Sequence, residues 1–414
     1  MTQSIATRAI TLLVLVSCSG TTSPAPADDP AEVRAPAAIA FVDVRVVPMT
    51  DGTVLDHGTV IVRDGRVERI EPAGSSPLPG DVIVIEGRGR YLAPALIDMH
   101  VHLRTGDLVA YLRAGIGVVR NMWGHSLIPG MVSAVESGAR VGPVIHSTSP
   151  GIDGSPPQWP ETQLPGSAAE ADDLVDSLAT AGWRSMKVYQ RLSEPVYDAI
   201  LDATRRIGVT AVGHVPTAIT VQHALASGQH SIEHFSGYDR AISRQARMGT
   251  SAWLDVDESR FAALVQATLA AGTWNCPTMT IYATIANQHG PADRATIVTN
   301  RRRFLKALSD AGAGLLAGTD AGIDVVAPGT SIHDELAEFV AAGLTPWQAL
   351  RAATADAGRY LEVPGLGTVS VGAPAQLMLL DANPLADVAN AKRLAGIVVR
   401  GEWFSTVRLA ASSP

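Results

Sequence analysis

Apolar and polar residues change rhythm twice along this 414-residue chain. From Ala38 to Tyr91 they alternate, as AIAFVDVRVVPM, GTVIVRDGRVERIEP and DVIVIEGRGRYL, which is the period of two of a half-buried strand. Asp64-Gly65 falls between two such runs; a type I′ turn needs positive φ at both central residues, so the pair predicts a hairpin. Near the other end, AQLMLLDANP and LAGIVVRGEWF read as strands in the same way, with a turn at Arg400-Gly401. Strands at both ends predict one small β-sandwich assembled from residues 38–92 and 365–408.

Between Pro94 and about Leu361, short β-rich runs alternate with helical patterns. Strands are expected near 95–102, 116–121, 143–148, 184–189, 209–214, 230–235, 273–280 and 314–320, and helices over Glu194–Ile207, Thr296–Ala313 and Ser331–Ala342. Eight βα units predict an α/β fold, a (β/α)8 TIM barrel over residues 93–364.

The start of the chain has a different character. Arg8 and the apolar run Ala9–Val16 read as an export signal, too short to span a bilayer. Leu15-Val16-Ser17-Cys18 resembles the lipobox of bacterial lipoproteins, which implies cleavage after residue 17 and a lipid anchor at Cys18. Ser19 resembles an outer-membrane sorting signal; the expected location is the periplasmic face of a bacterial membrane, or otherwise secreted or periplasmic. Residues 18–37 mix Pro, Ala, Ser and Asp without periodicity and are expected to be a flexible tether. The only other cysteine is Cys276, so a lipidated Cys18 leaves no intramolecular disulfide.

Composition excludes some functions. With 46% hydrophobic residues and 17% charged, the chain can bury a core and is not disordered. A net charge of −8 with 5% aromatics supplies neither the basic stripe nor the stacking platform of a nucleic-acid partner.

The candidate chemistry lies at the strand ends. His100 and His102 stand two apart at the end of an apolar run, so in a strand both rings leave one face and can converge on a metal. Later strands carry Lys187, His214, His234 and Asp320. In a barrel these ends share one mouth, and burying six unpaired polar groups there as mere packing would cost several kcal/mol.

The run YLAPALIDMHVHL resembles the P-G-[LF]-[IV]-D-x-H-x-H strand of the amidohydrolase superfamily, with Ala95 in place of the usual glycine. The tail, Gly367–Leu377 followed by Asp381–Pro384, resembles that of the same family. The branch it resembles is binuclear and metal-dependent, with imidazolonepropionase-related and prolidase-like members. That likeness implies His100, His102 and Asp320 on one ion, His214 and His234 on a second, and a carboxylated Lys187 (N6-carboxylysine) bridging them. Two divalent ions are implied, Zn2+ first, with Mn2+, Co2+, Fe2+ or Ni2+ able to substitute. Deaminase-like relatives usually carry H-x-x-E on the fifth strand, where this chain has His214-Val-Pro-Thr217.

The implied activity is hydrolysis of a carbon–nitrogen bond in an amide or dipeptide-like small molecule by a metal-bridging hydroxide, with Asp320 as catalytic proton carrier. A lactonase or ester hydrolase, and a non-catalytic metal-stabilised binding lipoprotein, are the alternatives. Tyr189, Tyr238 and His333 are candidates for substrate contact, and the Pro-rich loop 150–166 for a lid. A homo-oligomer is left open.

Overall fold

The computed structural model describes residues 38–323 and 325–412. The expected signal sequence, Cys18 and the expected tether lie outside the described residues. Five strands come first: β1 (Ala38–Val46), β2 (Leu55–Arg63), β3 (Arg66–Pro72), β4 (Val82–Glu86) and β5 (Tyr91–Pro94). Then, interspersed with helices, come β6 (Leu96–Val101), β7 (Ile116–Asn121), β8 (Val144–Ser147), β9 (Gly151–Ile152), β10 (Ser185–Val188), β11 (Thr210–Gly213), β12 (Ser231–Glu233) and β13 (Trp274–Cys276). The last are β14 (Leu377–Leu380), β15 (Leu394–Val399) and β16 (Glu402–Ser405).

Both expected hairpin turns form. Asp64 and Gly65 have φ of 50° and 72°, and Arg400 and Gly401 of 52° and 79°, so each turn matches the twist of the antiparallel strands it joins. The two chain ends meet in one eight-stranded sheet, ordered β16-β15-β14-β5-β1-β2-β3 with β4 beside β1. β5 is the seam: Leu92 pairs with Val46 in parallel β1 and with Leu379 in antiparallel β14. Phe41, Val60, Leu92, Leu377 and Val398 form the core of this sheet. Burying each such side chain is worth about 1.5–3 kcal/mol.

The middle of the chain forms two parallel sheets, β6-β7-β8 and β13-β12-β11-β10-β9. Every residue of β6 and β7 is buried, as expected of parallel strands covered on both faces. The run expected at 314–320 makes no ladder of its own, yet it lies between the sheets. Leu316 N donates to Asn275 O (2.9 Å), Met99 N to Ala317 O (2.9 Å) and Asp320 N to His100 O (2.7 Å). The run is pressed too close for a regular ladder: a Cβ on Gly318 would stand 2.4 Å from Cys276 Sγ, and Asp320 leaves the extended region at φ 62°. On the far side, Ser149 N beyond β8 donates to Ser185 O of β10 (2.8 Å).

Helices cover these sheets. Glu194–Ile207 has the expected bounds and stops at Gly208, at φ 79°, the left-handed position that glycine adopts without a Cβ penalty. The helix expected from Thr296 starts earlier, at Pro291, because proline fits a first turn whose N–H has no partner anyway. For function, the consequence is where the strands end. His100 lies in β6 and Lys187 in β10, while His214 and His234 follow β11 and β12 by one residue.

Candidate metal centre

Four imidazoles pack in a continuous row. Ring centroids are 5.4 Å apart for His102 and His100, 4.7 Å for His100 and His234, and 4.8 Å for His234 and His214. Asp320 closes the row at one end, its Oδ1 2.9 Å from His102 Nε2 and 3.3 Å from His100 Nε2. Lys187, 1% exposed, lines the same cavity as all five. The structure therefore brings together all six residues that the sequence nominates for metal.

The backbone pays a little to aim them. His234 and Asp320 sit at φ 65° and 62°, a left-handed conformation that costs of order 1–3 kcal/mol in a residue with a side chain. Gly213, just before His214, has φ 128°, and a Cβ there would stand 2.3 Å from Val188 O; only glycine fits.

A buried network orients the rings. His100 Nδ1 lies 2.9 Å from Glu233 Oε2. Glu233 also accepts from Arg120 Nη2, at 3.0 and 3.1 Å, and from Ser231 Oγ at 2.7 Å. Its carboxyl is buried, which favours protonation, but Arg120 and the bond to His100 outweigh this and hold it well below the usual range. An ionised Glu233 makes His100 Nδ1 the donor and leaves Nε2 with a bare lone pair. Thr278 Oγ1 spends its proton on Pro277 O (2.8 Å) and lies 2.7 Å from His234 Nδ1, so that nitrogen must donate and His234 Nε2 also keeps its lone pair. Asp98, buried within β6, accepts from Thr319 Oγ1 at 2.7 Å and from His100 N at 3.2 Å. Burial lifts its pKa to about 7.

The electrostatics favour neutral rings. Burial, partly opposed by Asp320, pushes His100 down to about 4. Burial holds His214 and His234 well below the usual imidazole range. Burial works against ionisation of Asp320, but His100, His234 and His102 together keep it well below the ordinary carboxylate range. Burial brings Lys187 down to about 8.

These residues fit a divalent ion. His100, His102 and Asp320 offer one ligand atom each, all within 4.8 Å of one another. His100 Nε2 is buried without a hydrogen-bond partner, and such an orphan is costly unless something else engages its lone pair. Neutral imidazoles with an ionised carboxylate are the donor chemistry of zinc and its neighbours.

The cavity above the centre encloses about 570 Å³. Tyr189 lines it as expected, its ring 4.3 Å from that of His214. Tyr238 does not. Its hydroxyl bonds Thr268 at 2.7 Å and its ring packs on Phe304 in the core, because the chain turns through His234, Phe235 and Gly237 at positive φ and rewinds into the helix Tyr238–Ile242. His333 does not line the cavity either: it is buried in the helix Ser331–Ala341 against the backbone of Ala114. The loop 150–166 does reach the site, with Trp159, Pro160 and Glu161 on its wall. Trp123, His125, Gln190, Tyr282 and Ile285 line the cavity too, and sequence spacing marks none of them.

The sequence pattern of the Amidohydrolase family matches residues 91–404. Among solved structures, a Bifidobacterium longum protein described as a prolidase is 23% identical with a TM-score of 0.74, over 89% of this chain and 95% of that one. Bottromycin amidohydrolase is 24% identical with a TM-score of 0.73, over 91% and 89%; these likenesses establish the shared fold. Adenine deaminase 1 of Jannaschia sp. (strain CCS1) is 25% identical over 260 residues, 56% of this chain and 43% of the relative. The chain spans less than half the length of the curated relatives it matches. With the match running from the strand before the histidine pair to the last strand of the terminal sheet, the chain belongs to the amidohydrolase family.

Proposed function

We propose that this chain hydrolyses the carbon–nitrogen bond of a small amide or dipeptide-like substrate at a centre of two divalent ions. The observation that carries the reading is the buried, unpartnered Nε2 of His100 beside His102 and the ionised Asp320. His100, His102 and Asp320 would hold one ion, His214 and His234 the other, and Lys187 would span both as a carbamate. Zinc suits the donors best, with manganese, cobalt, iron or nickel able to replace it. When bound, such ions supply Lewis acidity and bring the ionisation of water toward neutral pH.

The chain's own residues do the rest. With a pKa of about 8, Lys187 is partly a neutral amine near neutrality, and that amine adds carbon dioxide to give the carbamate and one proton. Asp320, ionised, accepts a proton from the attacking water and delivers it to the leaving nitrogen. Tyr189 accepts the Trp159 indole N–H at 2.9 Å and keeps its own proton for a substrate oxygen; burial raises its pKa to about 12. Asp320→Asn should retain metal and lose at least about 10²-fold in kcat on a cleaved amide, the lower bound for a general acid–base group. Wild-type turnover by a fully metallated Asp320→Asn protein would take the aspartate out of the mechanism.

Deamination is a second reading, favoured by the adenine deaminases among the relatives. Against it, Thr217 stands three residues after His214, where the H-x-x-E pattern usual in deaminase-like proteins would put a proton-shuttling glutamate, and its hydroxyl is bonded to Gln190 O at 3.2 Å. Release of ammonia from adenine would establish this reading over the first.

The finer architecture belongs to the same proposal: a closed (β/α)8 barrel over 93–364, with the terminal sheet folded into a sandwich from 38–92 and 365–408. So does location. Lipidation of Cys18 would tether the enzyme to the periplasmic face of a bacterial membrane, the outer one by the Ser19 signal. The wild-type protein should then fractionate with membranes and Cys18→Ala should not; equal partitioning of the two would remove the anchor.

A further inference from the structure

The aromatic residues of this chain are few and unevenly spent. Of its seven tryptophans and seven tyrosines, Trp123, Trp159, Tyr189 and Tyr282 line the one cavity over the metal centre. They form two walls. On the His214 side, Tyr189 is flanked edge-on by Trp123, with centroids 5.3 Å apart and an interplanar angle of 85°, and bridged by Trp159. On the His234 side, Tyr282 stands 5.8 Å from the imidazole, with Ile285 and Ile323 beyond it.

Neither indole has a hydrogen bond left to offer. Trp123 Nε1 donates to Pro160 O at 3.2 Å, and Trp159 Nε1 donates to the Tyr189 hydroxyl at 2.9 Å. Trp123 is half-buried and Trp159 exposed, yet each indole N–H has a partner. Here both partners are protein atoms, so a ligand meets ring carbon and not a donor.

The walls are also held firmly. Trp123 packs onto Gly151, where a Cβ would stand 2.0 Å from its ring. The buried Arg301 guanidinium lies 3.9 Å from the Tyr282 centroid, and donates to Pro277 O at 2.7 Å and to His234 O at 3.2 Å. The support behind this wall is therefore shared with a metal-site residue. Trp159, at the rim, still leaves 43% of its surface exposed. The one carboxylate of the His214-side wall, Glu161, is engaged by Ser126 N at 2.8 Å and Ser126 Oγ at 3.3 Å.

From these walls we infer that the ligand is an amide with an aromatic acyl or amine substituent, seated against Trp123, Trp159 and Tyr189, and that these residues set specificity. The inference rests on the carbon–nitrogen hydrolase reading for the bond cleaved, though not for recognition itself. A scissile carbonyl at the Asp320 end has an aromatic wall on either side. A cavity of about 570 Å³ is of the size that encloses a compact small molecule. Burying a ring against fixed aromatic faces adds to transfer out of water, whereas a small polar amide gains neither. The reaction adds one water across the C–N bond, giving a carboxylate and an amine.

The test uses four amides that vary one side at a time: N-acetylglycine, N-benzoylglycine, N-acetylphenylalanine and N-benzoylphenylalanine. Wild-type kcat/KM should be at least about tenfold higher for the best aromatic amide than for N-acetylglycine, the range expected of one apolar pocket. Trp159→Leu, a change at an exposed rim position, should cut that ratio several-fold. Calorimetric titration of metal-loaded Asp320→Asn should give the same order of affinities without turnover. If N-acetylglycine is cleaved and bound as well as the aromatic amides, or Trp159→Leu leaves the ratio intact, aromatic recognition is wrong and the hydrolase reading stands. Should the aromatic amides bind in that order while the wild type cleaves none of the four, aromatic recognition stands and the amide-hydrolase reading falls.

Discussion

Glu233 joins three parts of the molecule through one carboxylate: Arg120 from β7, Ser231 from its own strand, and the imidazole of His100 from β6. Glu233→Gln keeps the shape and removes the charge. The Nδ1 proton of His100 then loses its anionic partner, and metal affinity should fall about 10- to 100-fold, the usual effect of losing a partner behind a ligand. Arg120 would be left buried without its counter-ion, at a cost approaching 3–5 kcal/mol. A competitive chelator titration and a thermal melt on one preparation check both, and unchanged metal affinity would show that Glu233 does not orient His100. At this scale the six candidate metal residues were legible because each sits at a strand end with the donor type that a metal needs. Glu233 was not, since nothing near Ser231-Ile-Glu-His names Arg120 as its partner. The same limit explains Tyr238: four residues past His234 is a sound spacing only if the chain runs straight, and left-handed turns at His234 and Phe235 carry it into the core.

At the scale of elements, one contact fixes the helix that presents Tyr282 and Ile285. Met279–Ile285 has no side-chain cap from Thr278, which sits at φ 47°. Its first N–H groups are satisfied instead by Glu335 of the helix Ser331–Ala341, with Met279 N to Oε1 and Thr280 N to Oε2 both at 2.8 Å. Burial, only partly offset by these donors, raises the Glu335 pKa from 4.5 to about 8. Between those values the folded chain holds a proton that the unfolded chain has lost, so stability falls as pH rises through the window. The slope is at most about 1.4 kcal/mol per pH unit. Glu335→Gln cannot titrate, so the wild type should lose stability relative to the variant from pH 5 to pH 8, as read by denaturant unfolding. Parallel profiles would mean that Glu335 ionises like an exposed carboxyl. Hairpins at Asp64-Gly65 and Arg400-Gly401 were readable because a two-residue turn is local chemistry. The run 314–320 was only half readable: its apolar pattern is that of a strand, while the crowding at Gly318 that denies it a ladder comes from Cys276 and His100, which no local pattern contains.

Across the whole molecule, the donors for one centre come from segments that begin at residue 100 and end at 320, while the chain also buries two large hydrophobic cores that need no metal to pack. Metal removal should therefore loosen the assembly without unfolding it. An ion that binds only the folded chain stabilises it by about 4 kcal/mol at a thousand times its Kd. At about 2–4 °C per kcal/mol for a domain approaching this size, a chelated sample should melt of the order of 10 °C lower and keep its far-ultraviolet dichroism. Returning Zn2+ should restore the midpoint. The shift should also grow from pH 6 to pH 7, because Lys187, with a pKa of about 8, must shed its proton to form the carbamate, whereas burial already keeps His100, His214 and His234 neutral there and binding need not displace protons from them. Lys187→Ala should shrink the shift, having lost the group that would span both ions, while leaving the His100, His102 and Asp320 set in place. A chelated protein that elemental analysis finds metal-free, yet melts with the holoprotein, would mean that the centre adds nothing to folding and that packing alone holds the four imidazoles in their row.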